Sequence, residues 1–163
     1  LFITGAFTSS IMRSNEAILG QFVTLIFFVP MLIDEGGNAG SQASAIIIRA
    51  LALREFDLSD YLKVLWKETK VSLMLGLSIG AMGFIAASVM PSEQLMWSQS
   101  GIIVGLSTLL VVLFGSIIGS ILPLAAHLVG FDPAVLSGPV VTTIVDSAGL
   151  LIYFHIAKTV LGI

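Results

Sequence analysis

Two uncharged runs, Val71 to Met90 and Gly101 to Leu122, lie only ten residues apart in this chain. A helix needs about 20 apolar residues to cross the hydrocarbon core of a bilayer, and each run has that length. Neither alternates apolar and polar residues as barrel strands do, so the expected fold class is an all-α membrane protein. Composition agrees. The 163 residues are 56% hydrophobic and 10% charged, with a mean hydropathy of +1.06, which is outside the range of a soluble globular domain of this size. The chain has no cysteine, which excludes disulfides, thiolate metal sites and cysteine nucleophiles. A net charge of −3 without a basic run leaves no footprint for nucleic acid.

Read in order, the chain divides into five expected spans. Leu1 to Met12 is apolar but too short to cross, and lacks a basic leader or small-residue cleavage site. It reads as the end of a first helix whose beginning lies outside these residues. Arg13 to Glu16 is a polar hairpin. A second segment starts near Ala17, stays apolar through Ile33, meets the polar and glycine-rich stretch Asp34 to Gln42, and resumes apolar character through Ile48. Such backbone at membrane depth is tolerated only where it is buried in protein or lines a cavity.

Arg49 to Lys70 is the long polar connection and holds five of the seven basic residues, Arg49, Arg54, Lys63, Lys67 and Lys70, which places it in the cytoplasm. Within it, Asp57 or Ser59 is expected to cap an amphipathic helix at the membrane surface, with Tyr61, Leu62, Leu65 and Trp66 on one face. A solvated linker is the alternative for its first half. The third span, Val71 to Met90, carries Gly76, Gly80 and Gly83, and the fourth, Gly101 to Leu122, carries Gly105, Gly115 and Gly119; both stripes suit close helix packing. Between them, Pro91 to Ser100 has Trp97 as an interfacial anchor. Pro123 is expected to break the fourth helix, and Leu124 to Asp132 returns to the cytoplasm. The fifth span, Pro133 to Val160, ends outside, with Tyr153, His155 and Lys158 near the interface. Alternation gives a multi-pass plasma-membrane protein, N-terminus cytoplasmic and C-terminus extracellular or periplasmic.

Asp146 is the one carboxylate inside that last apolar segment. At bilayer depth it costs about 2.5–3.5 kcal/mol on insertion scales, and such residues face a bundle interior or a watery path. Two readings stand: a protonated Asp hydrogen-bonded to a neighbouring helix, or a cation site. Gly138-Pro139, read as a proline inside the helix, would free the carbonyl of Val135 as an oxygen ligand. Thr142 lies one turn before Asp146 on the same face, and Thr143 flanks them. Gly138, Thr142, Thr143, Ser147 and Gly149 admit either a close helix or a hydrated ion.

Other chemistry is poorly supported. Neither Asp34 nor Asp146 has the neighbours of an aspartyl intramembrane protease. His127 and His155 lie outside any H-E-x-x-H, so an enzyme is not expected, and His127 reads as an interfacial polar residue. GGNAG lacks the GKS or GKT ending of a phosphate loop. What remains is carboxylate, amide, hydroxyl and carbonyl oxygen, a set suited to Mg²⁺, Ca²⁺ or Mn²⁺. One carboxylate is thin for a divalent ion. Two copies across a two-fold axis would supply a second.

GGNAGSQAS, Gly36 to Ser44, followed by IRALAL around Arg49, and DPAVLSGPVVTTIVDSAGLLIYF, Asp132 to Phe154, resemble the membrane domain of the MgtE family of Mg²⁺ channels and transporters, and also the related eukaryotic solute-carrier magnesium transporters. The likeness covers essentially the whole chain. It implies one transmembrane ion-conducting domain over residues 1–163, in a homodimer with five membrane helices per subunit and an ion pathway at the dimer axis lined by the second and fifth helices. The pore carboxylate falls on Asp146, with the backbone near Thr142 and the segment Gly36, Gly37 and Asn38 contributing around the ion; Thr143 and Gly138, from the reading of the helix itself, complete the candidate metal residues. Mg²⁺ is the implied cargo, and Mn²⁺ or Ca²⁺ can substitute. Bacterial members carry an acidic N-domain and CBS modules ahead of the first helix, and neither is found in these residues. Asp34-Glu35 before the glycines either concentrates cations at a pore mouth or pairs with Arg49 or Arg54. A Na⁺- or H⁺-coupled carrier and a non-transporting membrane scaffold are the alternatives.

Overall fold

The computed structural model describes residues 2–55, 60–90, 92–136 and 138–163. These form α1 (Phe2–Ser14), α2 (Glu16–Gln21), a 3-10 helix (Val23–Phe28), α3 (Val29–Ala52), α4 (Tyr61–Ser88), α5 (Trp97–Leu128), a second 3-10 helix (Pro133–Leu136) and α6 (Gly138–Leu161), with no strand among the described residues. The protein is an all-helical integral membrane protein. Among the described residues three helices, α4, α5 and α6, are long and apolar enough to cross a bilayer. α3 has comparable length, but it carries Asp34, Glu35, Asn38 and Gln42 along its first 14 residues and is not among them.

α5 is the central helix: 56% of its most apolar stretch is buried, against 28% for α4. Glycines set both of its close crossings. On one side Gly80 of α4 and Gly105 of α5 face each other so closely that a Cβ on Gly80 would lie 2.8 Å from the carbonyl oxygen of Gly105, and one on Gly105 2.9 Å from that of Gly80. On the other side a Cβ on Gly40 of α3 would lie 3.0 Å from the carbonyl oxygen of Gly115, and Cβ atoms on Gly115 and Gly119 would collide with the carbonyls of Gly36 and Gly40. Water expulsion gains nothing between helices in lipid, so association rests on such backbone contact. α6 packs across both α3 and α5, with Val141 and Val145 fully buried against Val111.

At the other end of the bundle the chain before α3 folds in as a plug. Asn15 alone separates α1 from α2, its Nδ2 donating to the carbonyl of Ile11 at 2.8 Å. Ile18, Leu19, Phe22, Leu25 and Phe28 then pack with Ile103, Val104, Leu150, Tyr153 and Phe154 into one apolar cluster. Tyr153, expected near the interface, is instead fully buried in this cluster and donates its hydroxyl to the carbonyl of Leu25 at 2.8 Å.

Several expected boundaries change for physical reasons. The segment from Ala17 to Ile33 is not one helix: α2 ends at Gln21, and the chain tightens into a 3-10 turn before α3 begins at Val29. The glycine-rich stretch Asp34 to Gln42 is regular α-helix inside α3, because its small residues lie against α5. The amphipathic surface helix is not separate from the third span, since α4 runs unbroken from Tyr61 to Ser88 with Asp60 at its N-cap. The proposed caps Asp57 and Ser59 lie outside the described residues. Pro123 does not end the fourth helix. α5 continues to Leu128 and is stopped by Gly130 at φ +78°, where Gly130 N–H donates to His127 O at 3.2 Å and Phe131 N–H to Ala126 O at 2.9 Å, a Schellman closure. Pro139 is the second residue of α6, where a missing N–H costs nothing, so no intrahelical bond to Val135 is lost and no carbonyl is freed there.

Candidate cation site

The site lies where α3 crosses α6. Asp146 stands at the middle of α6, half-buried, and among the described residues its carboxylate makes no hydrogen bond or ion pair. Opposite is Gly37 of α3, which is buried: a Cβ there would sit 3.6 Å from Asp146 Oδ1, 3.5 Å from Thr142 Cγ2 and 3.8 Å from Thr142 Cβ. The glycine leaves the carboxylate flanked by bare helix backbone. Thr142, one turn before Asp146, turns its methyl toward Gly37 and donates its hydroxyl to the carbonyl of Pro139 at 3.2 Å.

Three of the residues expected at the site are therefore brought together: Gly37, Thr142 and Asp146. The others stand elsewhere. Gly36 is turned toward Val111 and Val145, with its carbonyl against Gly115, which makes it a contact of α3 with α5 and α6. Asn38 is exposed, and its Nδ2 donates to Asp34 Oδ2 at 3.1 Å. Thr143 is half-buried, its carbonyl accepting from the hydroxyl of Ser147 at 3.3 Å. Gly138 opens α6, with empty space where a Cβ would point, two turns from Asp146.

Two features escaped the sequence reading. The Asp34–Asn38 bond joins residues four apart on one helix, a spacing that could have flagged it. The Tyr153–Leu25 bond spans 128 positions and has no local signal. The pairing of Asp34 or Glu35 with Arg49 or Arg54 is not found among the described residues; Asp34 accepts from Asn38 instead.

Among the described residues no three His, Asp or Glu side chains are close enough together to hold a metal ion. One chain thus offers a single carboxylate, a neighbouring hydroxyl and open backbone. That arrangement suits an ion that keeps much of its water, as Mg²⁺ does, and not a tight all-protein cage.

The MgtE divalent cation transporter family model matches residues 29–156, which include α3, most of α6 and the site between them. The chain is 39% identical over 164 residues to the magnesium transporter MgtE of Thermus thermophilus, covering 99% of this chain and 35% of that protein. It is 33% identical over 157 residues to the magnesium transporter MgtE of Bacillus subtilis, covering 96% of this chain and 34% of that protein. The chain thus spans about a third of the length of these relatives. With a family model matched over most of its length, the chain belongs to the MgtE family of divalent cation transporters, a family of transporters and not of enzymes.

Proposed function

We propose that this domain conducts partly hydrated divalent cations, Mg²⁺ foremost, across the plasma membrane, and that Asp146 is the charge that holds the ion on its way. The observation that carries this reading is the unpartnered carboxylate on an apolar helix, facing the bare backbone of Gly37. A carboxylate in a span finds a cation, a donor or a proton, because lipid offers none of the hydration it gives up. No donor within the described chain meets this one, and of the two compensations left, a proton or a cation, the open backbone of Gly37 beside the carboxylate favours the cation. Because each chain brings one such group, the working unit is a homodimer in which two Asp146 side chains face each other across a two-fold axis, with α3 and α6 lining the path.

In this reading the five membrane helices of each subunit are α1, which at 13 residues is short of a full crossing, the chain through α2 to the end of α3, α4, α5 and α6, with the basic connection Arg49 to Lys70 on the cytoplasmic side. Inward flow needs no second ion. The membrane potential favours entry of a divalent cation by about 4.6 kcal/mol per 100 mV. The names of the relatives support Mg²⁺ as cargo.

The test is Mg²⁺ uptake into proteoliposomes by the wild type, Asp146→Asn and Asp146→Ala, each checked for unchanged elution as an oligomer. Both variants are expected to lose most of their uptake while remaining assembled. Wild-type uptake by Asp146→Asn would overturn the assignment. Uptake that requires an imposed Na⁺ or H⁺ gradient would establish the coupled carrier in place of the channel.

A further inference from the structure

The first three turns of α4 present a surface that ion conduction does not use. Leu62, Lys63, Trp66, Lys67 and Lys70 are all exposed, with Leu62 at 80% and Trp66 at 64%. Their spacing puts them on one side of the helix, while Tyr61, Leu65, Glu68 and Thr69 are less exposed. Glu68 is thus kept off the face, and Asp60, at its edge among the described residues, is paired with Lys63 at 2.7 Å. Among the described residues Lys67 and Lys70 form no ion pair. The Nζ of Lys70 sits 5.7 Å from the Trp66 ring centroid, which holds cation and indole side by side.

The same side of α4 turns apolar directly afterwards, with Val71, Met74 and Leu77 exposed. The lysines therefore stand at the level where hydrocarbon gives way to headgroups. From Lys63 to Lys70 the helix rises about 10 Å, comparable with the depth of one headgroup layer. An acidic protein segment would complement the lysines but not the interleaved Leu62 and Trp66. A bilayer containing anionic lipid complements both, since indole rings favour the interface and lysines the phosphates.

We propose that this face of α4 is a binding site for anionic phospholipid headgroups, with Lys67 and Lys70 as the phosphate-binding cations and Trp66 and Leu62 seated among the upper acyl carbons. The site is independent of the Asp146 pathway.

The test places a bimane label at Leu62→Cys, a selective position because these residues contain no cysteine. The labelled protein, in bilayer nanodiscs, is titrated with spin-labelled phosphatidylglycerol or spin-labelled phosphatidylcholine. The anionic lipid is expected to quench as though bound about fivefold more tightly at low salt, the factor that one engaged lysine supplies. Lys67→Gln with Lys70→Gln should equalise the two lipids without altering elution of the protein. Equal quenching in the unmutated lysine background overturns the proposal. So does preference that survives both substitutions. Absence of quenching by either lipid overturns it too, since the face would then be covered by protein.

Discussion

Tyr153 of α6 donates its phenolic hydroxyl to the main-chain carbonyl of Leu25 at 2.8 Å, and neither residue has any exposed surface. The bond pins the 3-10 helix before α3 to the C-terminal half of α6, and with it sets where α3 starts. Tyr153→Phe keeps the ring and removes the donor, leaving a buried carbonyl short of a partner at a cost of about 1–3 kcal/mol. A lowered melting midpoint in detergent is the expected outcome. Tyr153→Ala, which also opens a cavity, should cost about 3–5 kcal/mol. An unchanged midpoint for Tyr153→Phe would show that the bond does not hold the two segments together.

Two glycines of the same motif-bearing helix pair should respond in opposite ways. A Cβ on Gly119 would collide with the carbonyl of Gly40, so Gly119→Ala must push α3 away from α5. The strain is backbone against backbone, and overpacking of this kind costs about 1–3 kcal/mol or more. Gly37→Ala would place its methyl at ordinary contact distance, 3.5–3.8 Å, from Thr142 and Asp146. That variant is expected to fold and assemble normally while slowing Mg²⁺ flux by narrowing the space beside the carboxylate. Thermal stability and proteoliposome uptake, measured on both, separate a packing glycine from a pathway glycine.

Arg54 follows the C-cap of α3 at φ +54°, with Glu55 N–H donating to Ala50 O at 3.0 Å and Arg54 N–H to Leu51 O at 3.1 Å. This is the position that glycine normally fills at a helix end. A residue with a Cβ pays about 1–2 kcal/mol for the left-handed conformation. Arg54→Gly should accordingly raise stability by about 1 kcal/mol, read as an upward shift of the melting midpoint. A downward shift would mean that the guanidinium makes a stronger contact than the strain it carries.

The apolar runs and their glycine stripes were legible because length and small-residue spacing are local properties of the sequence. Gly80, Gly105, Gly115 and Gly119 stand at the crossings where spacing placed them. Asp146 with Thr142 was legible for the same reason, since two residues one turn apart share a face. Helix ends were less so. Pro123 looks like a stop, yet in a buried α5 the helix loses less by continuing past one missing bond than by ending, until Gly130 closes it. The glycine-rich stretch in α3 resembles a loop by composition, and only contact with α5 explains why it stays helical. The division between Gly36, facing α5, and Gly37, facing Asp146, depends on how α3 is rotated against two other helices, which the order of residues along one chain does not state.

Asp34 is exposed, Glu35 is half-buried, and neither is paired with an arginine among the described residues; the polar tie of Asp34 is the 3.1 Å bond from Asn38. Two unneutralised carboxylates within one turn of Gly37 create a negative field where ions would approach the site. Such a field acts through space and is screened by salt, with a Debye length of about 10 Å at 0.1 M and about 3 Å at 1 M. Asp34→Asn with Glu35→Gln should therefore lower Mg²⁺ flux several-fold at low ionic strength, and the deficit should close as salt of an untransported monovalent cation is added. Asn38→Ala, which frees Asp34 without changing the charge, should leave stability within about 0.5 kcal/mol, as expected for an exposed position. Its flux should follow the same salt dependence as the wild type. A deficit in the double variant that persists at 1 M salt would mean that these carboxylates touch the ion directly, and the pathway would then hold a second binding position before Asp146.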